Sequence, residues 1–142
     1  MRKLPLLLSL SWLISSCTPK PKAIEYGSDM CDFCKMSIVD AQHAAELVTT
    51  KGKVVKFDAI ECMINFSKKN SQNDFAFELV NIYSTPKQLV NASESYFLIS
   101  KNLPSPMGGN LTAFKNKKEA KEMQIAKGGE IYNWKELQLY FK

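Results

Sequence analysis

Lys51-Gly52 separates two runs of strand-forming residues, His43 to Thr50 and Lys53 to Phe57. A two-residue turn with glycine available for positive φ, set between such runs, specifies an antiparallel hairpin. The residues after it are as constraining. Asp58-Ala59-Ile60-Glu61 is a capping-box variant, with Asp58 as the expected helix cap and Glu61 reaching back to it. Ile60, Met63 and Ile64 then recur on one helical face, with Ala59, Cys62 and Phe66 beside it. Lys68 and Lys69 fall at the negative end of the helix dipole. Phe75 to Tyr83, apolar on both faces, predicts a central strand. The order is ββαβ over about residues 38–83.

A similar pattern follows over about residues 94–142. Ser95 to Ser100 predicts a strand, Leu103 to Asn110 a loop, and Leu111 to Phe114 a short strand. Asn116 with Glu119 predicts a helix start, and Gly128 its end. Glu130 to Tyr132 is a last short strand, and Asn133-Trp134-Lys135-Glu136 opens a terminal helix. A three-stranded unit is marginal alone, so the two units are expected to pack as one α+β domain over residues 29–142.

The chemistry concentrates ahead of the first hairpin. Met30-Cys31-Asp32-Phe33-Cys34-Lys35-Met36 places two thiols and two thioethers within seven residues. Cys-x-x-Cys alone fits a redox pair, half of a zinc site or a copper clamp. A zinc site wants two further Cys or His in a paired motif, and the chain offers only Cys62 and the single His43. A thioredoxin-like pair wants a strand before it and a helix opening on it; here a Pro/Lys-rich stretch precedes it. Met36 tips the balance, because soft thiolate and thioether donors select Cu(I). Cys62, among apolar residues on its helix, reads as core; it, Asp58 and His43 are secondary candidates as ligands or supporting groups.

The first residues form a different kind of segment. Arg2 and Lys3 precede an apolar run from Leu4 to Ile14, too short to span a bilayer but right for a secretory signal over residues 1–16. Ile14-Ser15-Ser16-Cys17 resembles the bacterial lipobox, which implies cleavage before Cys17 and lipidation of its thiol. Residues 17–28, with two prolines and two lysines after Cys17, read as a tether to the membrane. The expected place is the exported, periplasm-facing side of a bacterial membrane, the outer in preference to the inner. Removing the signal lowers the formal charge from +5 to +3, because Arg2 and Lys3 are its charged residues. The remaining lysines are scattered among acids, so no basic face for nucleic acid is present.

Four motifs in order resemble the NosL family of copper-binding lipoproteins. They are the lipobox, Cys31-x-x-Cys34-x-Met36, Phe57-Asp58 with Cys62 on the following helix, and Pro106-Met107-Gly108. The resemblance implies two ββαβ units, a fold similar to that of organomercurial lyase. It implies extracytoplasmic Cu(I) binding and copper supply to the copper–sulfur centre of nitrous oxide reductase, or to another copper-accepting or copper-donating protein. Carried over, the implicated ligands are Cys34 (or Cys31) and Met107, with Met36 as a possible third. The expected role is a metallochaperone, not an enzyme. The rivals are a thiol-based enzyme, by disulfide exchange or organomercurial-lyase-like chemistry through Cys31, Cys34 and Cys62, and a copper storage or resistance lipoprotein without a client.

Overall fold

A computed structural model describes residues 18–141. The expected signal segment and Cys17 lie outside them. The hairpin forms where the turn residues place it: β1 (Ala45–Thr49) pairs with β2 (Val54–Phe57) antiparallel, Ala45 opposite Phe57 and Val48 opposite Val54. Gly52 takes φ +84° in the turn, a conformation that disfavours a side chain. Helix α1 (Ile60–Lys69) follows, and β3 (Phe75–Ile82) returns antiparallel along the other side of β1.

A fourth strand, β4 (Thr85–Asn91), completes the first sheet in the order β2-β1-β3-β4. Sequence reading did not anticipate it. Pro86 argues against a strand, and Lys87 and Gln88 are exposed. Both are tolerated because β4 is an edge, where proline withholds no needed ladder donor. Residues 92–94 make a single 3-10 turn that crosses into the second sheet. There β5 (Tyr96–Ile99) lies between β6 (Leu111–Phe114) and β7 (Glu130–Asn133), antiparallel to both. Helix α2 (Lys117–Lys127) connects β6 to β7, and α3 (Trp134–Tyr140) follows directly. Each half therefore contains a ββαβ unit, extended by β4 in the first half and by α3 in the second. This is the expected α+β architecture.

Helix starts were legible where the cap is local. Asn116 accepts from the Glu119 amide, and Asn133 and Glu136 make a reciprocal capping box. At α1 the expectation fails. The residue in the cap position is Ala59, without a side-chain cap, and neither Asp58 nor Glu61 closes the box. Both carboxylates are drawn to partners distant in sequence.

The two sheets share one core. Leu47, Phe57, Ile60, Met63, Val80 and Ile82 from the first half join Phe97, Leu111 and Leu137 from the second. A smaller cluster of Leu98, Leu103, Phe114 and Ala120 lies under α2. Polar links cross the same seam: Trp134 Nε1 donates to Glu78 at 3.0 Å, and the Tyr83 amide donates to the Ala113 carbonyl at 3.0 Å. His43 belongs to this seam. Its Nδ1 lies 3.0 Å from Asp40 and its Nε2 3.1 Å from the hydroxyl of Thr112 on β6.

The stretch read as a tether docks on the domain along its second half. Ile24 is buried in the core, the Lys22 amide donates to Glu46 at 2.9 Å, and the Gly27 amide donates to Ile38 at 2.8 Å. Glu46 is fully buried on β1, and its second carboxylate oxygen has no partner. Burial pushes its pKa up, against the Lys22 amide that lowers it. A carboxyl raised on folding contributes fully at low pH and loses that contribution as pH rises through its raised value. Glu46→Gln is therefore expected to raise stability at neutral pH and to change it little below the ordinary carboxylate range. Urea melts at pH 7 and pH 3 check this; equal effects at both would contradict it.

Candidate metal centre

The Cys-x-x-Cys segment is a tight loop that covers the β2 edge of the first sheet. Its ends approach through a bridge between Met30 and Ser37, and the Cys31 amide donates to the Met36 carbonyl at 2.8 Å. Lys35 closes the turn with φ +65°, its amide donating to the Cys31 carbonyl at 3.0 Å. The loop is pinned to β2: the Asp32 amide donates to the Lys56 carbonyl at 2.8 Å, and the Lys56 amide to the Asp32 carboxylate at 2.9 Å. Lys56 Nζ adds an ion pair to Asp29 at 2.5 Å. The sheet edge is thereby paired rather than left open.

Pinned this way, the loop faces the junction of β2 and α1. Asp58 follows the last residue of β2, and Cys62 lies in the first turn of α1. The sulfurs of Cys31, Cys34 and Cys62 and a carboxylate oxygen of Asp58 all lie within 4.8 Å of one another. Cys31, Cys62 and Asp58 are buried, while Cys34 is part-exposed and forms the open side. The Cys34 thiol donates to Asp58 at 3.4 Å, and the Cys34 amide approaches Cys31 Sγ at 3.5 Å.

The thiols are not equivalent. Cys31 is pulled down to about 6, first because the Cys62 thiol donates to it, with backbone amides of Cys34 and Asp58 helping against burial. The Cys62 thiol is pushed up by that same donation and then by burial. Burial also pushes the Cys34 thiol up. Cys31 is therefore the thiol of the three most ready to ionise. The N-terminal end of α1 adds a favourable field for the thiolate's negative charge.

The donor set can hold a metal. Thiolates bound to zinc sit about 2.3 Å from it, so ligands of one ion are about 3.8 Å apart in a tetrahedron and at most about 4.6 Å apart across it. A spread of 4.8 Å needs only a small contraction. Three thiolates and a carboxylate together would over-neutralise a monovalent ion in a buried site. Two of the sulfurs with a neutral donor suit Cu(I) better.

The expected thioethers are exposed, unlike the buried part of this cluster. Met36 is 56% exposed and Met107 39% exposed, each on its loop at the surface, and Met30 is exposed too. Met30 Sδ accepts from the Ser37 hydroxyl at 3.5 Å. His43 is held in the seam by Asp40 and Thr112 and is not among the clustered donors. Two of the three secondary candidates, Cys62 and Asp58, are brought among the clustered donors. Cys62, read as core, is buried and also meets the Cys31 thiol; Asp58, read as a cap, meets Cys34. The spacing from Asp58 to Cys62 sets both at the mouth of one helix.

No curated protein matches this chain. Among solved structures, the crystal structure of the copper chaperone NosL from Shewanella denitrificans matches with a TM-score of 0.71 at 24% identity, over 82% of this chain and 94% of that one. At that identity the likeness is one of fold. The NosL family model matches residues 21–140, which covers both sheets and every element that positions the thiols, and the chain belongs to the NosL family.

Proposed function

We propose that this protein is an extracytoplasmic Cu(I) carrier, anchored by a lipidated Cys17, that hands copper to the copper–sulfur centre of nitrous oxide reductase. The observation that carries the reading is the cluster of Cys31, Cys34, Cys62 and Asp58, open to solvent at Cys34. Copper is cargo here. Cys31 and Cys34 are the first ligands, Met107 and Met36 the exposed thioethers that complete the site or pass the ion outward, and Cys62 and Asp58 support it from the buried side. Low coordination leaves room for an acceptor's ligand to attack, which is how a tightly held soft ion leaves without dissociating into water. The solved NosL structure, described as a copper chaperone, supports a carrier over an enzyme.

The test is an anaerobic Cu(I) competition titration on the reduced protein, wild type against Met107→Leu. Tight one-to-one binding that weakens by about 10-fold or more in the variant is expected. Absence of binding above a denatured control would remove the carrier reading and leave thiol–disulfide or organomercurial-lyase-like chemistry to be assayed. Transfer from the loaded protein to apo nitrous oxide reductase separates a donor from a copper store, which would bind and not release.

A further inference from the structure

Glu61, next to Cys62 in the chain, turns its carboxylate to the Met107 loop and is not among the clustered donors. It is buried in the first turn of α1 and accepts a hydrogen bond from the Ser105 hydroxyl. Ser105 Oγ in turn accepts from the Leu111 amide at 3.3 Å, and the Ser105 carbonyl accepts from the Gly108 amide at 3.0 Å. On the far side of Met107, the same Glu61 side chain fills the space where a Cβ of residue 109 would be. A methyl there would lie 2.5 Å from Glu61 Oε1 and 2.6 Å from its Cγ, closer than any real contact. Ser105 and Gly109 are the two shoulders of Met107, two residues to either side, and one side chain grips both. The neck of the loop is closed separately, by the Ser100 amide on the Asn110 carbonyl at 3.0 Å. Pro104 and Pro106 stiffen the span between.

This grip is a poor device for stability alone. The second carboxylate oxygen of Glu61 is buried without a partner, and an apolar side chain would avoid that cost. We propose that Glu61 is a positioning residue, a latch that fixes the Met107 loop on the helix turn carrying Cys62 so that the thioether reaches copper held by the thiols. The inference rests on the copper-carrier reading above. Glycine at 109 is required because the latch occupies its side-chain space, and serine at 105 because the latch needs a donor.

A double-mutant cycle tests it. Cu(I) affinity is measured by anaerobic competition for the full protein and for Met107→Leu, each also in Glu61→Ala and Glu61→Gln backgrounds. In the wild-type background Met107→Leu is expected to weaken copper about 10-fold or more. In Glu61→Ala the same change is expected to cost less than about 2-fold, because the loop is already released. Glu61→Gln keeps the acceptor for Ser105 and is expected to restore the full Met107 penalty. An undiminished penalty in Glu61→Ala overturns the latch, as does a wild-type protein indifferent to Met107→Leu. A wild type that binds no copper overturns the carrier reading instead, and is distinguishable from both. Should Glu61→Ala fail to fold by circular dichroism, Ser105→Ala removes the same hydrogen bond from the loop side and is read identically.

Discussion

Cys31→Ala is expected to weaken Cu(I) binding by about 100-fold or more while leaving the fold in place. Cys31 is the hub of the cluster: it receives the Cys62 thiol and the amides of Cys34 and Asp58, and it is the thiol pulled down to about 6. It is thus the sulfur ready as a thiolate near neutral pH, without a proton to expel first. Structural zinc in small thiolate sites is bound by roughly 10–16 kcal/mol, the scale taken here for a buried soft-donor site. Shared over three donors that is about 3–5 kcal/mol each, or about two to four orders of magnitude in affinity. Cys34→Ala is expected to cost copper affinity as well, and additionally to slow transfer, because Cys34 is the thiol open to solvent. Anaerobic competition with a chromophoric Cu(I) chelator reads the first effect, and stopped-flow transfer to that chelator reads the second. Wild-type affinity in Cys31→Ala would place copper elsewhere, on Cys34 and the thioethers alone.

The legible parts of this protein are those written within a few residues of one another. The Lys51-Gly52 turn, the Asn116 and Asn133 caps and Gly128, with φ +71° at the end of α2, each state a conformation that the local chain enforces. β4 was illegible because its sequence describes an edge, and an edge is defined by neighbours that it lacks. The start of α1 was misread for a more informative reason. Asp58-Ala59-Ile60-Glu61 has the composition of a capping box, and nothing local contradicts it. Tertiary partners take both acids: Cys34, 24 residues back from Asp58, and Ser105, 44 residues on from Glu61.

The same conflict marks the functional region. A helix start that surrenders its side-chain caps gives up about 1 kcal/mol of local stabilisation. Here that loss leaves one acid beside the thiols and the other under the Met107 loop. Cys62 shows the converse. Its apolar neighbours predict a core position, and it is buried in the core; the same burial sets its sulfur among the clustered donors. The thioethers were legible as candidates from their loops, and both Met36 and Met107 are exposed there.

Phe97→Ala is expected to destabilise the protein by about 3–5 kcal/mol. Phe97 lies on β5, the central strand of the second sheet, and is wholly buried. Its ring stands 5.4 Å from that of Trp134, and it belongs to the core that takes in Leu47, Val80 and Ile82 of the first half. Truncation opens a cavity at the point where the two sheets and α3 meet, and none of the surrounding strands can close it without breaking register. The whole domain has about 5–15 kcal/mol to lose, so the melting temperature is expected to fall by roughly 10–20 °C. Because the shared core makes the halves one folding unit, unfolding followed by Trp fluorescence and by far-ultraviolet circular dichroism should remain coincident in the variant. Two separated transitions would mean that the first sheet, with Cys31, Asp58 and Cys62, folds without the second, and that the thiol cluster stands independently of the Met107 loop.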